Sequence, residues 1–160
     1  MDFRLALSAL DQHNVKYVLV GGVAVVAHGS TLMTQDLNIL YQVEPINVQR
    51  LLDALSELDA YVYNDPRRLR FGFDHLNNRG HHLTETKAGR IDALGAMGLN
   101  SDIFYEHVID DAIGLNVFGI EVKCLSLDRL IAVKKELNRP RDGLAVMELE
   151  AIRRLTQGRQ

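Results

Sequence analysis

Two short stretches near the N-terminus carry the residue types that a phosphate-handling site needs. A double glycine, Gly21-Gly22, follows the apolar run Tyr17–Val20 and precedes a short apolar segment. A glycine turn leading into a helix can bind phosphate oxygens, because the first backbone N–H groups of a helix have no partner within it. Asp36 and Asn38 follow, alternating with apolar residues. This alternation places both polar side chains on one face of a strand, about 7 Å apart.

A third oxygen ligand is available further along the chain, at Asp92 in the apolar run 90–94. Mg²⁺ prefers hard oxygen ligands and keeps part of its water shell, so a few oxygens from neighbouring strands can hold it beside a phosphate. Taken singly, Asp36 and Asp92 are explained as well by solvated acids at strand ends. Together with Asn38 and the double glycine, they predict a metal–nucleotide site.

The spacing of apolar residues predicts the elements that must position these groups. Helices are predicted over residues 2–13, 23–28, 45–58, 101–108, 126–137 and 142–155, with Ser101 and Ser126 as N-caps. Strands are predicted over residues 16–20, 35–41, 60–63, 81–86, 90–94, 115–118 and 120–124. Residues 67–80 carry no clear pattern, and the tail 156–160 is expected to fray. The prediction is a mixed α/β (α+β) chain of one domain, 1–160, with a small mixed sheet flanked by helices and helices at its C-terminal end.

Composition narrows the class of protein. The chain has 160 residues, 47% of them hydrophobic, which is enough to bury a substantial core. A net charge of −3 argues against a strongly basic nucleic-acid surface, although the basic stretch 67–70 beside Phe71 leaves a local RNA or phosphate contact open. No apolar run approaches the ~20 residues of a membrane helix, no secretory signal is visible, and the single Cys124 cannot form an internal disulfide. A cytoplasmic protein without a membrane partner is expected.

Four motifs follow one another in a fixed order along the chain. They are Gly21-Gly22, Thr34-x-Asp36-x-Asn38, Gly89-Arg-Ile-Asp92, and the C-terminal pair Leu130-Ile-Ala-Val-Lys134 and Arg139-Pro-Arg-Asp142. As a set they resemble the signature of the nucleotidyltransferase (DNA polymerase β-like) superfamily. The C-terminal pair resembles the small bacterial AbiEii-type abortive-infection and toxin–antitoxin nucleotidyltransferases. The resemblance extends from about Tyr17 to the last helix.

The resemblance implies a nucleotidyltransferase fold and transfer of a nucleoside monophosphate from an NTP, with Mg²⁺ or Mn²⁺, to a hydroxyl group on protein or RNA. It implies that the double glycine and Thr34 contact the nucleotide and that Asp36 and Asn38 hold the metals. Asp92 is then expected to bind the second metal or to act as base toward the acceptor hydroxyl. The acceptors that it suggests are tRNA and a cognate toxin or antitoxin protein.

Lys134 falls within the apolar stripe of the helix predicted over residues 126–137. A charge on such a stripe must reach out to solvent, pair with an acid, or face a cleft. The sequence leaves these alternatives open, and an ion pair of Asp142 with Lys134 or Arg139 would give Asp142 a structural role. The resemblance implies that Lys134 reaches toward the nucleotide phosphates or the acidic cluster.

Two positions depart from the superfamily pattern. Active members carry an acid where this chain has Asn38, and an amide offers a neutral oxygen without the charge that offsets Mg²⁺. Many carry an Arg in place of Leu32, which cannot make a bidentate phosphate contact. Enzyme activity is therefore left open, and the alternative is a catalytically degenerate nucleotide- or partner-binding protein of a toxin–antitoxin or phage-defence system. A homodimer through an exposed edge of the small sheet is also left open.

Overall fold

A seven-stranded mixed sheet forms the centre of the structure, a computed structural model that describes residues 1–157. The strands are β1 (Tyr17–Val20), β2 (Asp36–Tyr41), β3 (Tyr61–Val62), β4 (His81–Thr86), β5 (Gly89–Leu94), β6 (Ile113–Val117) and β7 (Ile120–Cys124). Their spatial order is β3-β4-β5-β2-β1-β7-β6. The β2–β5 and β1–β7 pairs are parallel, and the other pairs are antiparallel. This mixed sheet confirms the fold class predicted from the sequence.

Helices accompany the sheet along the whole chain. They are α1 (Phe3–Gln12), α2 (Gly21–Ala27), α3 (Pro45–Glu57), α4 (Phe73–Leu76), α5 (Leu127–Leu137) and α6 (Asp142–Gln157). Helix α3 begins as its sequence predicts, with Pro45 in the first turn and the Glu44 carboxylate accepting hydrogen bonds from two backbone N–H groups. Within residues 1–157, no helix is both long enough and apolar enough to cross a lipid bilayer.

The central strand β2 shows why the sheet can carry both a core and a polar face. Leu37 and Ile39 are completely buried, while Asp36 and Asn38, which alternate with them, are half-buried. This is the alternation predicted from the sequence. The inner faces of α1 and α3 bury further aliphatic side chains against the same core, among them Leu7, Leu10, Leu51 and Leu55.

Local structure differs from the sequence prediction in several places. The helix predicted over 101–108 is wrong, since only a 3₁₀ turn, Tyr105–His107, forms there and Ser101 has a left-handed φ of 53°. That φ is incompatible with the extended backbone of an N-cap. Ser126 does precede α5, but its hydroxyl contacts Asp111 at 3.3 Å and caps no backbone N–H.

Three further differences concern the start of α2, the stretch 67–80 and the end of α6. The glycines do not form a separate turn before α2, because the helix already begins at Gly21. The unpatterned stretch 67–80 contains α4. Residues 156 and 157 of the tail predicted to fray continue α6, and the remainder of that tail, 158–160, lies outside the described residues.

Candidate functional site

A cavity of about 570 Å³ opens where the N-terminal half of the chain meets α5 and α6. Its volume lies within the range of about 300–1,000 Å³ that is typical of small-molecule sites. All seven site residues predicted from the sequence line it: Gly21, Gly22, Thr34, Asp36, Asn38, Asp92 and Lys134. They come from four separate parts of the chain. Their convergence is a structural fact, while their individual roles remain predictions.

Strand register explains why the polar groups of β2 and β5 meet. The two strands are parallel neighbours, with Asp36 opposite Arg90 and Asn38 opposite Asp92. On its other side Asn38 is opposite Val20, the last residue of β1. Residues opposite one another in adjacent strands share a face of the sheet, so Asn38 and Asp92 extend from the same face.

Arg90 binds the predicted metal ligand Asp92 on its own strand. The Arg90 Nε donates to Asp92 Oδ1 at 2.9 Å, and Nη2 donates to Oδ2 at 2.9 Å, which is a bidentate pair. These hydrogen bonds raise the pKa of Arg90 above its already high usual value. Asp92 is 5% exposed. Each oxygen of Asp92 therefore accepts one hydrogen bond from a guanidinium whose positive charge offsets that of the carboxylate, so Asp92 attracts a metal ion more weakly than an unpaired carboxylate does.

Lys134 forms an ion pair with Asp142, one of the alternatives that the sequence left open. The distance from Lys134 Nζ to Asp142 Oδ1 is 2.8 Å, and the side chains are 12% and 9% exposed. Both residues also line the cavity. The second oxygen of Asp142, Oδ2, is buried and accepts no hydrogen bond from the described residues. The pair joins α5 to the start of α6 at the wall of the cavity.

Close packing explains why glycine occupies positions 21 and 22, independently of the phosphate contact predicted for them. Gly21 has a left-handed φ of 66°, and a Cβ there would lie 2.8 Å from Asn38 Cβ. A Cβ on Gly22 would lie 2.8 Å from Thr34 Cβ. Thr34 in turn donates its hydroxyl to Asp36 Oδ1 at 3.0 Å. The first two residues of α2 can pass this close to β2 and to Thr34 only because they have no side chains.

Glu148 on α6 holds the segment that precedes β2. Its carboxylate accepts hydrogen bonds from the Ser30 hydroxyl, from the Thr31 backbone N–H at 3.1 Å and from the Thr31 hydroxyl at 3.3 Å. The hydrogen bond from Ser30 is the main cause that lowers the pKa of Glu148 below its usual 4.5. Leu32, Met33 and Thr34, which follow directly, line the cavity. The position of α6 therefore fixes one wall of the site.

Replacing Glu148 with Gln is expected to lower the melting temperature above pH 4.5 and to have a shrinking effect below it. A carboxyl whose pKa is lowered in the folded protein stabilises it fully above the unfolded-state pKa. That stability is lost as the pH falls through the folded-state pKa. Thermal unfolding of both proteins between pH 3 and pH 7 measures the difference, with Glu136→Gln on the exposed face of α5 as control. A difference that stays constant across this range would contradict the assignment.

The oxygen donors at the cavity suit one divalent ion better than two. Asp36 forms no ion pair with any described residue, and Asn38 adds a neutral carbonyl oxygen. Mg²⁺ is usually held by one or two carboxylates together with substrate phosphates, so this set fits one Mg²⁺ that arrives with a nucleotide. Over residues 1–157 no three His, Cys, Asp or Glu side chains are grouped to hold a metal. With the charge of Asp92 offset by Arg90 and a neutral amide at position 38, Asp36 is the one unpaired carboxylate of this set, which is too little negative charge to favour a two-metal centre.

The cavity also contains three basic residues that were not predicted as site residues from the sequence, namely Arg90, Arg139 and Arg141. Arg90 was detectable, because its two-residue spacing from Asp92 places both side chains on one strand face. The arginines of the loop between α5 and α6 carried no such periodic signal.

The solved structures similar to this chain include an antibiotic-resistance factor and an antibiotic adenylyltransferase. The antibiotic-resistance factor ANT(2'')-Ia in solution aligns with a TM-score of 0.58 over 99% of this chain and 94% of its own, at 16% identity. ANT(2'')-Ia in complex with adenylyl-2''-tobramycin gives 0.57 over 98% and 95%, also at 16% identity. The lincosamide antibiotic adenylyltransferase LnuA, lincomycin-bound, gives 0.62 over 91% and 92%, again at 16%. The chain has the nucleotidyltransferase fold.

This nucleotidyltransferase fold confirms the architecture that the sequence motifs implied. No protein-family model and no curated protein matches the chain. The similarity at 16% identity concerns the fold alone. The AbiEii-type subgroup therefore stays a prediction.

Proposed function

We propose that this protein binds a nucleoside triphosphate in the cavity and transfers its nucleoside monophosphate to a hydroxyl group, at a reduced rate. The observation that carries the proposal is the convergence of the seven predicted residues on one cavity of a nucleotidyltransferase fold. Superfamily-type motifs predicted these residues before their positions were known, and they are distant in the chain. Chance grouping of solvated acids does not account for that agreement.

Each part of the cavity has a role in this proposal. The double glycine and Thr34 contact the phosphates, and Asp36 with Asn38 holds the Mg²⁺ of the nucleotide. When bound, that ion supplies charge stabilisation to the phosphoryl oxygens. Lys134 adds a fixed positive charge beside them. Asp92 is the candidate base toward the acceptor hydroxyl, and it must first exchange a hydrogen bond with Arg90.

A nucleotide-binding protein without transfer is the second candidate function. It is favoured by the neutral Asn38 and by the Arg90–Asp92 pair, since one of the three carboxylate positions of the superfamily pattern then lacks a charge and a second has its charge offset by an arginine. In that case the protein acts through the nucleotide that it holds or through a partner protein of a toxin–antitoxin or phage-defence system. Pyrophosphate release in the presence of acceptors separates the two candidates.

The acceptor class is best tested with small hydroxyl-bearing molecules as well as with tRNA and partner proteins. The similar solved structures include enzymes that carry antibiotics or their adenylyl products. The charge of the basic stretch that suggested RNA is largely offset, because Arg67 pairs with Asp65 and both Arg68 and Arg70 pair with Asp59. These pairs leave no strongly basic surface there for a polyanionic acceptor.

Binding of ATP, GTP, CTP and UTP with Mg²⁺, followed by calorimetry, tests the proposal directly. At least one nucleotide is expected to bind at one site per chain, and the corresponding nucleoside much more weakly. Replacing the exposed cavity residue Arg141 with Gln is expected to weaken binding about two- to fivefold, as the loss of a solvent-exposed charge contact implies. Arg154→Gln, on α6 outside the cavity, is the control. Failure of all four nucleotides to bind, or equal effects of the two variants, would refute nucleotide binding in this cavity.

A further inference from the structure

The cavity has the opposite charge balance to the protein as a whole. The chain carries a net charge of −3, yet four basic and three acidic side chains line the cavity. Two of each belong to the ion pairs Arg90–Asp92 and Lys134–Asp142. The lining therefore has a net charge of +1 in a protein of net negative charge. An anion is attracted to such a cavity without any divalent ion.

Asp36 is the remaining acid of the lining. Its negative charge is outweighed by the two positive charges of Arg139 and Arg141 in the α5–α6 loop. A site with three free carboxylates repels a polyphosphate until metal ions neutralise them. Here Asn38 is neutral and Asp92 is already neutralised by a side chain of the protein. The repulsion that normally makes nucleotide binding depend on a metal is thus largely absent.

Arg90 is held as a rigid cation within this lining. Its Nε and Nη2 are bound to Asp92, and its guanidinium lies over the Tyr63 ring at 4.5 Å from the ring centre. Among residues 1–157, nothing accepts a hydrogen bond from its Nη1. The side chain is 33% exposed and lies opposite Asp36 across the β2–β5 pair. A guanidinium fixed on one edge and open on the other is suited to bind a phosphate oxygen.

We propose that Arg90 is a built-in cation of the nucleotide site, so that the cavity binds a nucleoside triphosphate as the free anion, without a divalent ion. This inference rests on the proposed nucleotide binding, and it concerns binding rather than transfer. Asp92 is then a positioning residue, which orients the guanidinium toward the phosphates. In the protein without nucleotide, Arg90 neutralises the negative charge of Asp92, which a metal ion would otherwise have to neutralise.

Calorimetry with ATP in EDTA and with ATP in excess Mg²⁺ tests the inference. The affinity of the unmodified protein in EDTA is expected to be within about tenfold of its affinity in Mg²⁺. Arg90→Gln is expected to lose at least about tenfold in EDTA, since a charge-assisted hydrogen bond is removed, and to regain part of the loss in Mg²⁺ because Asp92 is released. Arg90→Lys is expected to be intermediate, because it keeps the charge but not the fork. Arg129→Gln, which breaks the exposed pair with Asp111, is the matched control.

Asp36→Ala provides a second variant that does not disturb the ion pair. In EDTA this variant is expected to bind ATP more tightly than the unmodified protein, because the unpaired carboxylate of the lining is removed. In excess Mg²⁺ that gain in affinity should disappear. ATP binding that requires Mg²⁺ and is unchanged in Arg90→Gln would overturn the inference and leave the proposed function intact. Failure of ATP, GTP, CTP and UTP alike to bind in either buffer would instead refute the proposed function itself.

Discussion

Replacing Asp142 with Ala is expected to lower the free energy of unfolding by about 3–5 kcal/mol, the cost of leaving one partner of a buried ion pair uncompensated. Lys134 is 88% buried against an apolar stripe of α5 and has Asp142 as its ion-pair partner at 2.8 Å. Once the carboxylate is gone, the ammonium group must either stay charged in a poorly solvated place or lose its proton. Both alternatives cost free energy that the folded protein now avoids. Urea denaturation at neutral pH measures the loss.

The same two helices supply a matched control. Lys135 and Glu150 also join α5 to α6, but their side chains are 55% and 26% exposed. Glu150→Ala is therefore expected to change stability far less than Asp142→Ala, because solvent screens an exposed ion pair. Equal losses in Asp142→Ala and Glu150→Ala would show that the first pair is effectively solvated. The double variant Lys134→Met/Asp142→Leu is expected to regain most of the stability, because both charges are removed together.

Local sequence patterns were sufficient to predict the structure wherever a residue's neighbours in the chain determine its backbone conformation and the face on which its side chain lies. The alternation of β2 placed Asp36 and Asn38 on one face, and the structure agrees. The start of α3 at Pro45 follows from the fixed φ of proline and the capping Glu44. The pairing of β2 with β5, which brings Asn38 opposite Asp92, is set by long-range packing and was only suggested by the superfamily resemblance.

Features set by tertiary contacts were not accessible to the same reasoning. Asn47 is fully buried in α3, where its side chain bonds the Lys16 backbone at both N–H and C=O and also the Gln42 carbonyl. Nothing in its local sequence distinguishes it from a solvated helical asparagine. Ser101 failed as an N-cap for a related reason, because the surrounding loop is held by a β-bridge between Met97 and Ile103. A tertiary contact there overrides the local preference.

The charge state of the site was the least predictable part. An acid on a strand face indicates a metal ligand only if no basic side chain has already bound it, and Arg90 lies two residues before Asp92. The sequence showed both residues, but only the bidentate geometry shows that the carboxylate is occupied. The strand pairing brings the predicted residues Asn38 and Asp92 together, and the Arg90–Asp92 pair changes the expectation about metal chemistry there.

The effect of Asn38→Asp on stability is expected to have opposite signs in EDTA and in Mg²⁺. In EDTA the new carboxylate lies opposite Asp92 and on the face of Asp36, so like-charge repulsion is expected to lower the melting temperature by about 2–4 °C for each kcal/mol of repulsion. In Mg²⁺ the same carboxylate adds a charged ligand. Affinity for Mg²⁺ is expected to rise at least about tenfold, since even indirect partners of a metal site change affinity by about 10–100-fold.

Thermal unfolding in both buffers measures this reversal without an acceptor or a known nucleotide. The control is Asn64→Asp, an exposed loop position after β3, whose melting temperature should respond equally in EDTA and Mg²⁺. If transfer is limited by the missing charge, Asn38→Asp should also increase pyrophosphate release with an active acceptor, whereas Asn38→Asp combined with Asp36→Ala should not. An Asn38→Asp protein indifferent to Mg²⁺ would mean that β2 does not face a metal-bound nucleotide. Binding through Arg90 alone would then be the better account of the cavity, because it needs no third carboxylate.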